Sequence, residues 1–175
     1  IISSYLKLKE EFKDLKLVLV PRHPERANTI KDILKSKNMD SEISSDIKFN
    51  LNKHDVVVIN ATGLLNILYK RAKVSFIGGS LFSKYGGHNI IEPAFNKSPF
   101  IVGPHMKNFE DVLSLFLKKD ACIQLKSPVQ LHDAFKKLLN NDELRTHMID
   151  NAIRVVSENK GSSNQQYKYI KHLIN

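Results

Sequence analysis

The sequence predicts an α/β domain in which helices cover both faces of a parallel sheet, the doubly wound arrangement. Short apolar segments rich in β-branched residues alternate with amphipathic segments along the 175 residues. Connectors rich in glycine, proline and polar residues follow several apolar segments, at the strand ends where such sheets bind ligands. Because the length suits one well-buried core, we expect a single domain over residues 1–175, with residues 141–175 as C-terminal helices.

The first elements are assigned from their hydrophobic period. Apolar residues recur at roughly helical spacing in "SSYLKLKEEFKDL": Leu6, Leu8, Phe12 and Leu15. The β-branched run "KLVLV" that follows predicts a buried strand. Next, "PERANTIKDILKSKN" begins with a proline suited to a first helical turn and places Ile30, Ile33 and Leu34 on one face.

The same alternation continues to the end of the chain. The further predicted elements are, in order, strand "DVVVIN", helix "LLNILYKRA", strand "KVSFIGG", a short helix around "EPAFNK", strand "PFIVG", helix "NFEDVLSLFLKK", strand "ACIQL" and helix "PVQLHDAFKKLLN". Beyond these we expect one or two helices, with a break at Gly161, Ser162 and Ser163.

Composition indicates a soluble chain with a bias toward anionic partners. It has 27 basic and 18 acidic residues, a formal charge of +9. Most of the excess is lysine along predicted helices, and no stripe of aromatics with arginines appears, so we expect no nucleic-acid partner. No apolar run is long enough to span a membrane, and no secretory signal is present. The one cysteine, Cys122, excludes an internal disulfide and is expected to be a buried apolar residue.

The connector "VPRHPER" holds Arg22 and His23 between two prolines. Prolines fix the backbone and make such a turn stiff. A stiff turn can aim a guanidinium, whose planar donors suit phosphate. The alternative is a rigid turn with Arg22 in an ordinary ion pair.

Two glycine pairs flank the six-residue stretch 80–85, in "GGS" at 78–80 and "GGHN" at 86–89. Glycine pairs let backbone N–H groups approach a ligand, and a helix N-terminus beyond them favours negative charge. Neither a Walker A loop nor the dinucleotide fingerprint G-x-G-x-x-G is present.

Asn89 and Glu92 have the spacing of a capping box, the alternative to a binding role. Pro93 argues against the box, because with Asn89 as cap the first intrahelical N–H would belong to a proline. Glu92 is therefore predicted to be freer than a box glutamate and able to accept hydrogen bonds from two vicinal sugar hydroxyls.

Other candidates are weaker. Thr62 follows a strand and either caps the next helix or also lines the crevice. Asn108 is expected to be a helix cap, with a ligand contact as the alternative. His88 and His105 are separated by a strand without further ligands at metal spacing, so we expect no metal. No catalytic triad can be assigned from spacing.

Taken together, these segments resemble the C-terminal half of the 3-deoxy-D-manno-octulosonic acid (Kdo) transferases of lipopolysaccharide synthesis. The similarity covers most of residues 5–157 and rests on "VPRHPER", "GGSL", "GGHNIIEPA" and "IVGPHMKNFEDV", in this order and spacing. It implies the Rossmann-like donor domain of a GT-B glycosyltransferase that uses CMP-Kdo. A separate N-terminal domain would receive the lipid A precursor, at the cytoplasmic face of the bacterial inner membrane, and an anionic membrane surface is a further expected partner.

The resemblance also implies roles for individual residues. Pro21 and Arg22 would contact the CMP phosphate and its surroundings. Thr62, Gly63 and Leu64 would line the nucleotide, and Asn89, Ile90, Ile91 and Glu92 would hold the ribose and the loop near the phosphate. Further loop contacts are expected from His23, Gly79, Ser80, Gly87 and His88. No catalytic residue, metal or other cofactor is implied for this chain, because the family's catalytic carboxylate lies in the N-terminal domain.

Two departures limit the resemblance. The family's D-T-M-G-E-L segment is "NATGLL" here, so Leu64 replaces a polar residue and its side-chain contact is lost. The family's C-terminal half opens with a strand and a Ser-x-His-x-Gly-Glu loop, whereas this chain starts inside the following helix. We therefore expect a fragment or a reduced gene product that binds donor without transferring sugar alone. The alternatives are a GT-B transferase or epimerase domain that uses a UDP-sugar, and a noncatalytic sugar-nucleotide-binding module.

Overall fold

A computed structural model describes residues 1–159 of the chain. The residues form two compact units, one over Ile1–Leu68 and a second that begins at Tyr69. Each unit contains a three-stranded parallel sheet, so the predicted alternation of parallel strands and helices is confirmed in both. The single domain expected over residues 1–175 stays a prediction.

The sheet of the first unit has the strand order β1-β3-β2. Its strands are β1 (Leu17–Leu19), β2 (Ser41–Ser44) and β3 (Val56–Ile59). Its helices are α1 (Ile2–Glu11), α2 (Ala27–Lys35) and the beginning of α3 (Leu65–Arg71), with a 3-10 turn at Pro24–Arg26 before α2.

The central strand β3 is fully buried because its side chains alternate between two apolar clusters. Val56 and Val58 pack with Leu34 of α2 on one face. Val57 and Ile59 pack on the other face with Leu68 of α3. Helices on both faces explain why this strand is a continuous apolar run rather than an alternation with polar residues.

The second unit has the strand order β4-β5-β6. Its strands are β4 (Ser75–Ile77), β5 (Phe100–Val102) and β6 (Ile123–Gln124). Its helices are α4 (Ile91–Phe95), α5 (Glu110–Lys118), α6 (Leu131–Leu139) and α7 (Asp142–Glu158), with 3-10 turns at Lys107–Phe109 and Pro128–Gln130.

The central strand β5 is buried in the same way. Phe100 packs edge-on against Phe116 of α5, with ring centroids 5.5 Å apart. Ile101 points to the opposite face and packs with Leu138 of α6. Helix α7 contributes side chains to both clusters. The sheet is therefore covered on both faces, as the doubly wound prediction requires.

The sequence did not predict strand β2, "SEIS". Three of its four residues are polar, so it lacks the hydrophobic signal of a strand. It forms because it pairs in parallel with β3, in the register Ser41 opposite Val56 to Ser44 opposite Ile59. The backbone ladder, rather than side-chain burial, defines this edge strand.

Two expected core residues are on the surface. Leu6 is 37% exposed and Ile33 is 43% exposed. The buried face of α1 is formed by Tyr5 and Leu8, and Leu34 alone of the predicted α2 set is fully buried. The predicted break at 161–163 lies outside the described residues. Among residues 1–159, no helix combines the length and hydrophobicity needed to cross a membrane.

Candidate functional site

In the first unit, two of the predicted contact segments leave the carboxyl ends of neighbouring strands. β1 and β3 pair in parallel with Leu19 opposite Val58, so the residues after β1 run beside those after β3. Pro21 and Arg22 follow β1, and Thr62 follows β3. The structure therefore brings these two segments together at the carboxyl end of the first sheet.

Arg22 lies exposed in a turn stiffened by prolines. Pro21 is half-buried, and Pro24 opens the 3-10 turn. The neighbouring His23 places Nδ1 3.5 Å from a carboxylate oxygen of Glu25. Arg22 forms no ion pair with any residue among 1–159, so the ordinary ion pair considered from the sequence is not found there. Its guanidinium remains available to an anion.

Gly63 adopts a φ of +80°, a conformation that favours glycine. A Cβ at this position would meet no heavy atom within 4 Å, so conformation and not crowding requires the glycine. Thr62 is exposed, whereas Leu64 packs against the apolar cluster of Val57. A ligand contact at Leu64 would therefore use its backbone.

In the second unit, Ser80 joins the glycine connector after β4 to the connector after β5. Its side chain is fully buried, donates to the carbonyl of Ile77 at 2.5 Å and accepts from the N–H of Gly103 at 2.8 Å. The N–H of His105 donates to the Ser80 carbonyl at 2.9 Å. A Cβ at Gly103 would lie 2.2 Å from that carbonyl oxygen, so the two connectors are in direct backbone contact.

The second glycine pair is required by packing within the chain. Gly86 and Gly87 have φ of +65° and +82°. A Cβ at Gly86 would lie 2.7 Å from the side chain of Asn108, and one at Gly87 would lie 2.3 Å from the sulfur of Met106. These glycines therefore permit close approach of the neighbouring connector.

The prediction that Asn108 caps a helix is wrong. Asn108 lies inside the 3-10 turn Lys107–Phe109, and α5 begins two residues later without a side-chain cap. Its N–H donates to the carbonyl of Gly86 at 2.9 Å, and its side-chain amide donates to the carbonyl of Tyr85 at 3.0 Å. Asn108 thus anchors the glycine connector, a long-range role that local spacing did not reveal.

His88 packs against the first glycine pair. A Cβ at Gly79 would lie 3.0 Å from Nε2 of His88, and one at Gly78 would lie 3.5 Å from Nδ1. The N–H of Gly87 donates to the carbonyl of Gly79 at 2.9 Å. The two glycine pairs therefore lie side by side in one connector.

Asn89 and Glu92 interact at the start of α4 through their side chains. Oδ1 of Asn89 accepts from the N–H of Ile91 at 2.9 Å, and its Nδ2 donates to Oε1 of Glu92 at 3.2 Å. This differs from a capping box, in which the glutamate bonds the cap residue's backbone N–H. Ile90 and Ile91 are buried, so their side chains face the core.

Glu92 has a half-buried carboxylate, and its pKa is shifted from the ordinary value. Desolvation raises the pKa of Glu92 above 4.5, and the hydrogen bond from Asn89 partly opposes the rise. The second oxygen of the carboxylate accepts no hydrogen bond from the described residues 1–159. The sequence missed Tyr69, which packs against the cluster containing Ile91 and whose pKa is raised by burial and by the charge of Glu92.

Comparisons with known proteins bear on the family. The chain is 34% identical over 169 residues, 95% of its length, to a 3-deoxy-D-manno-octulosonic acid transferase of Rickettsia typhi. It is 32% identical over 163 residues to a protein of the same description in Haemophilus influenzae. Its structure matches the C-terminal CMP-Kdo binding domain of WaaA from Acinetobacter baumannii with a TM-score of 0.82 at 27% identity, over 89% of this chain and 81% of that one. The chain is therefore similar to the C-terminal part of Kdo transferases.

Within the Kdo transferases this chain corresponds to one part. It spans 36% of the Rickettsia typhi protein and 38% of the Haemophilus influenzae protein. No family model matches the chain. The structural match confirms the predicted α/β class and the correspondence to a C-terminal domain. The site residues assigned from the resemblance stay predictions.

Two further observations concern metal-ligating side chains and the thiol in the described part of the chain. Among residues 1–159, no three His, Cys, Asp or Glu side chains gather as a metal site would need. Cys122 is buried as predicted, and burial raises the pKa of its thiol to about 12. A thiol held in its neutral form is a poor nucleophile, so its role is in packing.

Proposed function

We propose that this chain binds CMP-Kdo, as the donor-binding part of a GT-B glycosyltransferase that transfers Kdo. The observation that carries the proposal is the structural match to a domain described as CMP-Kdo binding, over 89% of this chain. It is supported by the position of the assigned residues, which follow the carboxyl ends of strands in each sheet. This is the end at which parallel α/β sheets bind nucleotides.

Arg22 is proposed to bind the phosphate of the donor. It is exposed in a stiff turn and lacks an ionic partner among residues 1–159, and its planar fork can donate two parallel hydrogen bonds to phosphate oxygens. Pro21 and His23 flank it in the same turn. The neighbouring connector would line the nucleotide with Thr62, Gly63 and Leu64.

Glu92 is proposed to bind the ribose. Asn89 holds one carboxylate oxygen in place, and the other is available to a hydroxyl group. The ionised carboxylate accepts from two vicinal hydroxyls, whereas a protonated one loses part of that capacity. Ile90 and Ile91 would contribute backbone groups only, since their side chains are buried.

The glycine connector is proposed to shape the rim of the site. Gly79, Gly87 and His88 would face the ligand as loop contacts, and their mutual packing fixes the loop before the ligand arrives. Ser80 would support the loop indirectly, because its hydroxyl is buried and hydrogen-bonded within the chain. A preformed loop reduces the ordering that binding would otherwise require.

In the transferase reaction, negative charge grows on the departing CMP. A phosphate already held by Arg22 is stabilised as that charge develops, which is electrostatic assistance to a leaving group. The resemblance assigns the catalytic carboxylate to an N-terminal domain, so we propose no catalytic residue and no metal or other cofactor in this chain. The proposed acceptor is a lipid A precursor, at the cytoplasmic face of a bacterial inner membrane.

Calorimetric titration with CMP, UMP and UDP tests the donor assignment. We expect selective CMP binding that Arg22→Ala and Glu92→Ala each weaken by roughly 10-fold or more, the loss typical of a charged hydrogen bond. The matched controls, Arg154→Ala and Glu143→Ala, change exposed residues of α7 and should bind as the parent does.

Other outcomes identify the alternatives. Preference for UMP or UDP would favour a UDP-sugar-using transferase or epimerase domain. Equal affinity for all three nucleotides would favour a noncatalytic module that recognises only phosphate and ribose. Absence of binding in a chain shown to be folded by circular dichroism would overturn the proposal for this chain.

A further inference from the structure

Basic side chains gather where the chain enters the second sheet. β4, β5 and β6 are parallel neighbours, so the three connections that lead into them lie side by side at the amino end of the sheet. All six basic residues of these connections and their preceding helix ends are exposed: Lys70, Arg71, Lys73, Lys97, Lys118 and Lys119. We call this set the basic edge.

The basic edge accounts for the charge imbalance of the described part of the second unit. Residues 69–159 hold thirteen Lys and Arg and nine Asp and Glu. The basic edge contributes six of the basic residues. Asp120 follows it in the same connection, and Glu158 lies 2.5 Å from Lys119. Outside the edge, seven basic and seven acidic residues remain, so that part is neutral.

Helix dipoles explain only part of this pattern. Lys70, Arg71 and Lys118 lie in the last turns of α3 and α5, where cations stabilise a helix. Lys73 and Lys97 lie outside helices, and Lys97 has a φ of +58° in a tight turn. Their clustering therefore concentrates positive potential beyond what helix stability needs.

An apolar side chain and the end of a helix lie beside the basic edge. Leu117, one residue before Lys118, is 37% exposed and presents an apolar side chain beside the lysines. Helix α7 ends at Glu158, which is bonded to Lys119, so the C-terminus of this helix lies beside the edge.

We propose that the basic edge docks on an anionic lipid bilayer. Lysines are strongly hydrated point charges suited to a diffuse negative surface, and each contributes attraction when it lies within a Debye length of that surface. A nucleic-acid surface is less well matched, because the edge lacks aromatic residues for base stacking and holds one arginine. The inference concerns the end of the sheet away from the donor residues and does not depend on CMP binding.

Vesicle flotation with matched triple variants of the full chain tests the docking surface. Neutral phosphatidylcholine vesicles are compared with vesicles that also contain phosphatidylglycerol, at moderate salt. The edge variant is Lys73→Gln with Lys97→Gln and Lys118→Gln, which leaves the paired Lys119 intact. The control is Lys84→Gln with Lys107→Gln and Lys126→Gln, three exposed lysines of the connectors that follow the strands.

The two triple variants have the same net charge, so non-specific attraction predicts equal losses. We expect the parent and control to bind anionic vesicles, and the edge variant to bind roughly 100-fold more weakly, the effect of three lysines near an anionic surface. Binding of the parent to neutral vesicles should be weak.

Several results would overturn the proposal. These are equal losses in both triple variants, undiminished binding of the edge variant, and equal binding of the parent to neutral and anionic vesicles. Tighter binding of a short DNA duplex, lost in the edge variant, would assign the surface to nucleic acid instead. Circular dichroism of each variant shows whether its fold is intact, so this result does not depend on the donor assignment.

Discussion

Glu92 illustrates the cost in stability that a proposed binding residue imposes on the folded protein. The carboxylate is half-buried, and its raised pKa means that folding disfavours its charged form. Because the folded state then holds the proton more tightly than the unfolded chain, this group's contribution to stability is lost as pH rises from about 4.5 through the folded pKa. In the proposed function, hydrogen bonds donated by the ligand would offset this cost.

We therefore predict opposite effects of Glu92→Gln on stability and binding. At neutral pH the variant should have a higher free energy of unfolding, since Gln is neutral and keeps an oxygen for the amide of Asn89. CMP affinity should fall by roughly 10-fold or more, the loss of a charged acceptor. Urea denaturation of parent and variant from about pH 4 to about pH 8 measures the first effect, and the parent should lose its relative stability as pH rises. A variant less stable than the parent at the upper pH would contradict this explanation.

Ser80 is predicted to position the connectors, and a second buried serine supplies the control. The hydroxyl of Ser75 bonds that of Ser98 at 2.6 Å, at the amino end of β4 and away from the glycine connector. Ser80→Ala and Ser75→Ala should each destabilise the chain by about 1–3 kcal/mol, because each leaves a buried polar group without its partner.

Affinity distinguishes the two serines. Only Ser80→Ala removes a hydrogen bond between the glycine connector and Gly103, so only this variant should weaken CMP binding, by several-fold, at a temperature where both are folded. Calorimetry on both variants measures it. Equal affinities in the two variants would reduce Ser80 to a general contribution to stability.

At the scale of elements, the connectors of the second unit make close contacts with one another. The sequence located the unusual glycines correctly, but it could not show that Asn108 and Met106 occupy the space opposite Gly86 and Gly87. Those contacts join residues about twenty positions apart, and local spacing carries no signal for them. A glycine that the sequence suggests is needed for ligand approach therefore also gives space to another part of the chain.

Gly103→Ala is predicted to break this packing, with Gly63→Ala as its control. At Gly103 the new Cβ would lie 2.2 Å from the backbone oxygen of Ser80, and no side-chain rotation can relieve that overlap. We expect a loss of roughly 3 kcal/mol or more. At Gly63 the space is open and only the φ of +80° opposes alanine, so the expected loss is about 1–2 kcal/mol. Thermal denaturation compares them, and a smaller loss at Gly103 than at Gly63 would be inconsistent with the packing described.

The elements also show which structural features a sequence pattern can predict. The buried strands β3 and β5 were predictable, because a short, continuous β-branched run such as "DVVVI" is typical of a buried strand. Strand β2 was not, since its polar residues are ordered by the backbone of β3. Leu6 and Ile33 were placed in the core from spacing alone, but a short helix covered on one side has room for only part of its apolar residues.

At the scale of the whole molecule, the charge of +9 is unevenly distributed. The first unit is close to balance, with eleven basic and nine acidic residues, and the second holds sixteen and nine over 69–175. The proposed donor contacts follow the strands, whereas the basic edge precedes them. Under the two proposals, one end of the second sheet would contact the nucleotide and the other an anionic surface.

Hydrogen exchange of the full chain should display these two ends separately. Amides of exposed connectors exchange by local opening, so a bound ligand slows those it contacts, while core amides that exchange by global unfolding slow by the overall stabilisation. At a CMP concentration about 100 times its Kd, that stabilisation is about 2.7 kcal/mol, or roughly 100-fold slower exchange in β3 and β5.

We expect the strongest local protection by CMP in 20–23, 61–64 and 86–92, with little change in 70–73 and 117–120. Anionic vesicles should give the reverse pattern, protecting the entry connections and leaving the donor connectors exposed. Protection of the same segments by both ligands would show that the nucleotide and the bilayer compete for one surface, contrary to the separation argued from the charge distribution.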